Sequence, residues 1–198
     1  AKMSKRDHAS AEGDDGRASD QYRRTLRVIV SVACERLFKD RTLTGGHSIA
    51  NAHWFMFEGD ENAMTKADAA KVDHECKDLI RQGMKLSAVE KDYNTMIEYF
   101  AGSRQPVAAK QLEKRVPIGG KAKVWEIDVH GTKHYRLRHF PLLEDTSSLD
   151  GYDFTISSYT ASGFVLVHGA TFRDQPALTK SITRQIQSAK RAGVCSTD

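Results

Sequence analysis

The period at which apolar residues recur changes once along this chain, and that change limits the folds open to it. Before Pro117 the spacing is mostly helical. Leu26, Ile29, Val30, Ala33, Cys34, Leu37 and Phe38 fall at i, i+3, i+4, i+7, i+8, i+11 and i+12, which predicts a helix over 21–38 with Cys34 on its buried face. Thr65-Lys66-Ala67-Asp68 reads as a capping box, and Val72, Cys76, Leu79 and Ile80 follow at helical spacing until Gly83. A third helix is predicted from Asp92, as N-cap, to Gly102, and a fourth from Pro106 through Leu112. Within this half, 42–46 and 52–57 read as two short strands of a hairpin, the second carrying Trp54, Phe55 and Phe57.

Beyond Gly119-Gly120 the period becomes two. The runs 124–129 and 133–140 flank His130-Gly131-Thr132, and 152–159 and 164–167 flank Thr160-Ala161-Ser162-Gly163, so two antiparallel hairpins are expected. Asp174-Gln175-Pro176 then opens a last helix, with Leu178, Ile182, Ile186 and Ala189 inward. Helices segregated against an antiparallel sheet make an α+β fold.

A length of 198 residues favours one domain with appendages, at about 150 residues per domain. The appendage is expected at 1–20, which has no aromatic residue and sets 4 positive against 5 negative side chains. Such a segment buries too little apolar surface to offset its ordering entropy, so a disordered lead-in is expected, with the domain over 21–194 and a tail over 195–198. No apolar stretch approaches a membrane span and the first residues lack a signal-peptide block, so a soluble, unexported protein with no membrane partner is expected. Cys34, Cys76 and Cys195 are widely separated, without a Cys-x-x-Cys pair. This argues against a disulfide framework or zinc site and fits the cytoplasm.

Few motifs carry chemistry. His47 and His53 lie six apart in Gly45-Gly46-His47-Ser48-Ile49-Ala50-Asn51-Ala52-His53, but no Cys or carboxylate joins them at ligand spacing, so no metal site is assigned. Gly119-Gly120-Lys121-Ala122 fails as a phosphate loop, because Arg115 stands where the first glycine is required and Ala122 where the magnesium-binding Ser or Thr belongs. Ser158 and Ser162 lack a nucleophile elbow, and Cys76 is placed in the core with His74 turned away. No catalytic residue is assigned. The net charge of +4 is modest, yet Lys114, Arg115, Lys121, Lys123, Lys133, His134, Arg136 and Arg138 crowd one connector and one hairpin. On a strand His134, Arg136 and Arg138 share a face. That face is either simply solvated or able to meet RNA phosphates or an acidic partner.

The order of these elements resembles a known family. Tyr22-Arg23-Arg24-Thr25-Leu26, Leu37-Phe38, Gly46-His47-Ser48, Met64-Thr65-Lys66-Ala67-Asp68, Phe140-Pro141-Leu142, Tyr159-Thr160-Ala161-Ser162-Gly163-Phe164 and Asp174-Gln175-Pro176-Ala177-Leu178 are similar, in that order, to the N-terminal domain of uridine kinase-like proteins. That domain in turn resembles the second additional, or editing, domain of threonyl- and alanyl-tRNA synthetases. The resemblance covers about 22–194 and implies a threonyl-tRNA synthetase editing-domain-like fold. The four positions matching the synthetases' editing residues are held here by Arg24, Val28, Arg138 and Leu142, so neither the metal nor the ester hydrolysis carries over.

The resemblance implies a non-catalytic accessory or regulatory domain without a cofactor of its own. Its partner would be a C-terminal P-loop kinase domain in the same parent chain, using ATP and Mg to phosphorylate uridine or cytidine. A groove bordered by His47, Ser48, Asn51, His53, Arg136 and Arg138 is expected to be what remains of the ancestral pocket. A nucleoside or nucleotide would stack there on Trp54 or Phe55 with cation support from Arg138. The alternative is an RNA- or tRNA-binding module that uses Lys121, Lys123, Lys133 and His134, and a residual aminoacyl-tRNA hydrolase is a third reading.

Overall fold

A computed structural model describes residues 5–44, 48–49, 52–58, 64–149, 154–160 and 163–168, with side chains described for 20–44, 53–58, 64–149, 154 and 156. Helix α1 spans Lys5–Leu37, so its first turns cross the segment expected to be a disordered lead-in. The periodicity marked a start at 21 because only there does the helix acquire an apolar face. Leu26, Ile29, Val30 and Ala33 are fully buried. Strands β1 (Leu43–Thr44), β2 (Ser48–Ile49) and β3 (Ala52–Phe57) follow, and both short strands pair antiparallel with β3.

Helix α2 (Lys66–Arg81) begins at the capping box expected from sequence, with Thr65 Oγ1 accepting from the Asp68 amide and Asp68 accepting from the Thr65 amide. Gly83, at φ +68°, turns the chain out of that helix. Strand β4 (Lys85–Asp92) comes next and was not legible in the sequence, since among its eight residues only Leu86 is buried. Helices α3 (Tyr93–Gly102), capped by Asp92, and α4 (Pro106–Arg115), with proline in its first turn, lie where the spacing placed them. Strands β5 (Lys121–Val129) and β6 (Thr132–Leu137) form the first predicted hairpin. Its two-residue loop, His130-Gly131, has positive φ at both positions, as a turn matching the strand twist requires. A short 3-10 turn, Thr146–Leu149, precedes β7 (Phe154–Thr160) and β8 (Gly163–His168), the second predicted hairpin.

Among the described residues the strands form two antiparallel sheets, one in the order β1-β3-β8-β7 with β2 also on β3, the other β4-β5-β6. The fold is therefore α+β, as the change of period predicted. Strand β5 buries opposite faces along its length. Ala122 and Val124 join Tyr93, Met96, Phe100 and Leu112 in a core under α3 and α4, whereas Trp125, Ile127 and Val129 join Leu26, Ile29, Cys76 and Leu79 in the core of α1 and α2. Its register with β4 runs unbroken from Asp128 to Lys121, so this switch comes without a bulge. The consequence for function is that β6, paired to β5, presents one face to α1 and the other to α3. Thr146 ties the sheet end down: its amide donates to Met84 O at 3.0 Å, and its hydroxyl donates to Leu79 O and accepts from the Met84 amide. No described helix is long and apolar enough to cross a membrane. The predicted C-terminal helix lies outside the described residues, as do Ser162 and Cys195.

Candidate functional site

Because Trp125 and Ile127 face the α1 core, their register partners on β6, Arg136 and His134, must face it too. His134 and Arg136 of the charged face that sequence reading left as solvated or RNA-binding are thus turned inward, onto the polar side of α1. There Glu35 receives it. Glu35 Oε2 accepts from Arg136 Nη2 at 2.8 Å, and Oε1 accepts from His134 Nδ1 and from the Tyr99 hydroxyl, each at 3.0 Å. Arg136 Nε donates to Ser31 Oγ at 2.8 Å, and Tyr99 Oη accepts from the Tyr135 amide at 3.0 Å. Burial pushes the Glu35 carboxyl up, but the His134 hydrogen bond and the Arg136 charge more than offset it and bring it down to about 2. A carboxylate only accepts, so the proton shared with His134 sits on Nδ1. Burial and the Glu35 charge together push the Tyr99 phenol up to about 12, which keeps it a donor.

This cluster forms part of the wall of a cavity of about 280 Å³. Cys34 and Glu35 of α1, Arg41 of the following turn, His53, Phe55 and Phe57 of β3, Gln105 and Val107 at the start of α4, and Arg136 of β6 line it. Alternation along β3 sends His53, Phe55 and Phe57 to this side. The His53 and Phe55 rings meet edge-on with centroids 4.6 Å apart. Largely apolar walls with a few convergent polar groups are the usual composition of a small-molecule site. Burial holds the Cys34 thiol well above its ordinary range, and the same is true of Cys76, so neither is a nucleophile at neutral pH.

Of the residues expected to border the groove, the structure brings His53, Phe55 and Arg136 to this cavity. Trp54 is buried on the opposite side of β3 and does not line it. Arg138 follows the last residue of β6 and lies over the Trp125 ring, 5.6 Å from its centroid, lining a different concavity. Its cation support for a ligand stacked on Phe55 is therefore corrected. His47, Asn51 and the side chain of Ser48 lie outside the described residues. The expected basic patch also divides. His134 is buried against Glu35, and Lys133 is on the other face of β6, bonded to Glu126 at 2.6 Å. Lys121 and Lys123 remain exposed and, with Arg115, Arg138 and His139, line a concavity of about 270 Å³. Burial and Arg115 lower the His139 pKa.

Sequence reading missed Ser31, Glu35, Arg41 and Tyr99. A signal was present: Arg24, Val28, Ser31 and Glu35 stand at i, i+4, i+7 and i+11, a second stripe beside the apolar one. The structure puts this stripe opposite the connector after β6, where the Arg24 guanidinium lies 4.5 Å from the Phe140 centroid and Thr25 Oγ1 accepts from the Leu143 amide at 2.9 Å. The four positions matching the synthetase editing residues thus hold two arginines over aromatic rings, a buried Leu142, and a half-buried Val28 packed on the core.

No family model matches the chain. A 106-residue stretch, 54% of this chain, is 28% identical to the threonine–tRNA ligase of Acetivibrio thermocellus and covers 16% of that enzyme's length. The likeness agrees with an editing-domain-like α+β fold and relates the chain to a synthetase domain.

Proposed function

We propose that this chain is a non-catalytic accessory domain that holds a nucleoside-type ligand in the cavity between α1, β3, α4 and β6. The observation that supports it is a ring-lined cavity, together with unreactive groups at the four matched editing positions, none of which lines that cavity. Two stacked guanidinium groups and two apolar side chains take no proton from water at neutral pH and hold no metal. What the cavity offers instead is a ring-lined wall, Phe55 with His53, and a guanidinium, Arg136, fixed by Ser31 and Glu35. Fixed donors beside an apolar surface orient a ligand without reacting with it. The parent chain we propose is uridine kinase-like, with ATP and Mg bound by its own P-loop domain and this domain packed on it. Support for that parent is the order of motifs from Tyr22 to Leu178.

Calorimetric titration of the chain with uridine and cytidine tests the binding. Saturable binding weakened at least five-fold by Phe55→Ala is expected, and no heat with either nucleoside overturns the reading. A GxxxxGK[ST] segment in the same parent protein is the matching test of the kinase partner. RNA binding is the second reading, favoured by the exposed quartet Arg115, Lys121, Lys123 and Arg138. With four cations the slope of log affinity against log salt reaches about −3 to −4 at most. Incubation with mischarged tRNA tests residual hydrolysis, for which no product is expected.

A further inference from the structure

The charges in the cavity wall narrow the ligand further, an inference that rests on reading the cavity as a ligand site. Three guanidinium groups line it, Arg41, Arg104 and Arg136, against one carboxylate, Glu35. Arg136 is taken up by Glu35 and Ser31, and Arg104 Nη1 donates to Asp40 O at 2.6 Å. Arg41 differs. Its guanidinium lies over two rings, 4.9 Å from the Phe38 centroid and 5.6 Å from that of Phe57, which fixes its plane. Its Nη1 is buried and, among the described residues, meets no acceptor. Among the described residues the Arg41 side chain makes no hydrogen bond or ion pair, so of the three guanidinium groups on the cavity wall it is the one left to meet the acid group of a ligand. No hydrogen bond or ion pair joins it to Glu35, whose oxygens accept from His134, Tyr99 and Arg136.

We propose that the cavity takes a small organic anion, its acid group against Arg41 and its flat, apolar body against Phe55. The same charges disfavour a zwitterionic amino acid, because an ammonium group would meet three guanidinium groups and one carboxylate. A volume of about 280 Å³ lies just below the usual range of ligand sites, roughly 300–1,000 Å³, and limits the occupant to one small molecule such as an aromatic acid or a mononucleotide. A phosphate ester and a carboxylate satisfy a guanidinium in the same bidentate way, so the acid group is the shared chemistry and its carrier is for experiment to separate.

The test is calorimetry on the full 198-residue chain with two pairs of probes, uridine 5′-monophosphate against uridine and 3-phenylpropionate against the neutral 3-phenylpropanamide. The acid-bearing member of at least one pair is expected to bind ten-fold or more tightly than its counterpart, with Arg41→Gln abolishing that advantage and Arg41→Lys keeping part of it. Which pair shows the advantage identifies the carrier. Thermal melts of the ligand-free variants separate lost binding from lost folding; if Arg41→Gln does not fold, Arg41→Lys carries the test, and an undiminished preference for the acid in it overturns the role of Arg41. Equal affinity within both pairs overturns the anion and leaves the nucleoside reading standing. An advantage for 3-phenylpropionate with no binding of either uridine probe supports the anion and removes the nucleoside. Binding of none of the four removes both.

Discussion

Glu35 is the residue on which the most groups converge, and its chemistry sets an acid limit to stability. Its folded pKa of about 2 lies below the ordinary value near 4.3. A group depressed in the folded state contributes stability that is fully present above its unfolded pKa and is lost as pH falls through the folded one. Stability is therefore expected to decline between about pH 4.5 and pH 2, with Glu126 adding in the same window, since hydrogen bonds from Lys133 and Lys91 bring it also to about 2. In Glu35→Gln the decline should be shallower, and the neutral-pH stability lower by about 2–4 kcal/mol, because Arg136 keeps its burial and loses its counter-charge. Urea unfolding across that pH range measures both. Cys34 and Cys76, whose thiols burial holds well above their usual range, are expected to resist alkylation in the native protein and react once it is unfolded. Peptide mapping after a timed iodoacetamide pulse reads this out. Neither the convergence on Glu35 nor the orphaned nitrogen of Arg41 was legible in the sequence, because each depends on partners far away along the chain.

At the scale of elements, what was legible is what local chemistry decides. Helix α2 starts at Thr65 because its hydroxyl and the Asp68 carboxylate satisfy amides within four residues of each other. Thr65→Ala is expected to cost about 1 kcal/mol, seen as a lower urea midpoint with an unchanged slope. The β5-β6 turn is local in the same sense. Gly131 sits at φ +82° with no heavy atom within 4 Å of where a Cβ would stand, so Gly131→Ala meets no clash and pays only for backbone conformation, about 1–2 kcal/mol in the same measurement. Strand β4 shows the opposite case. Ala88 and Ser87 are both exposed and Leu86 alone is buried, so its pairing with eight of the nine residues of β5 leaves no period-two trace. Its identity as a strand is a property of β5.

At the scale of the whole molecule, the two cores that share β5 couple α3 and α4 to α1 and α2 through a single strand. Leu112, fully buried in the smaller core, tests this coupling. Leu112→Ala is expected to cost about 2–5 kcal/mol and to lower hydrogen-exchange protection in β5 and β6 more than in α2. The same sharing explains the fate of the basic hairpin. Composition and period determined an α+β chain, the helix starts at Thr65 and Asp92, the two hairpins, and the cysteine pair in the core, because each follows from neighbours within a few residues or from apolar spacing alone. Only the tertiary structure decided which way the charged face of β6 points. Strand alternation places His134 and Arg136 on one side whatever the fold, but it is α1 packing over Trp125 and Ile127 that makes that side an interior, while Arg138, past the end of β6, stays exposed. Once it is an interior, burial requires a counter-charge, and Glu35, about a hundred residues away in the chain, supplies it.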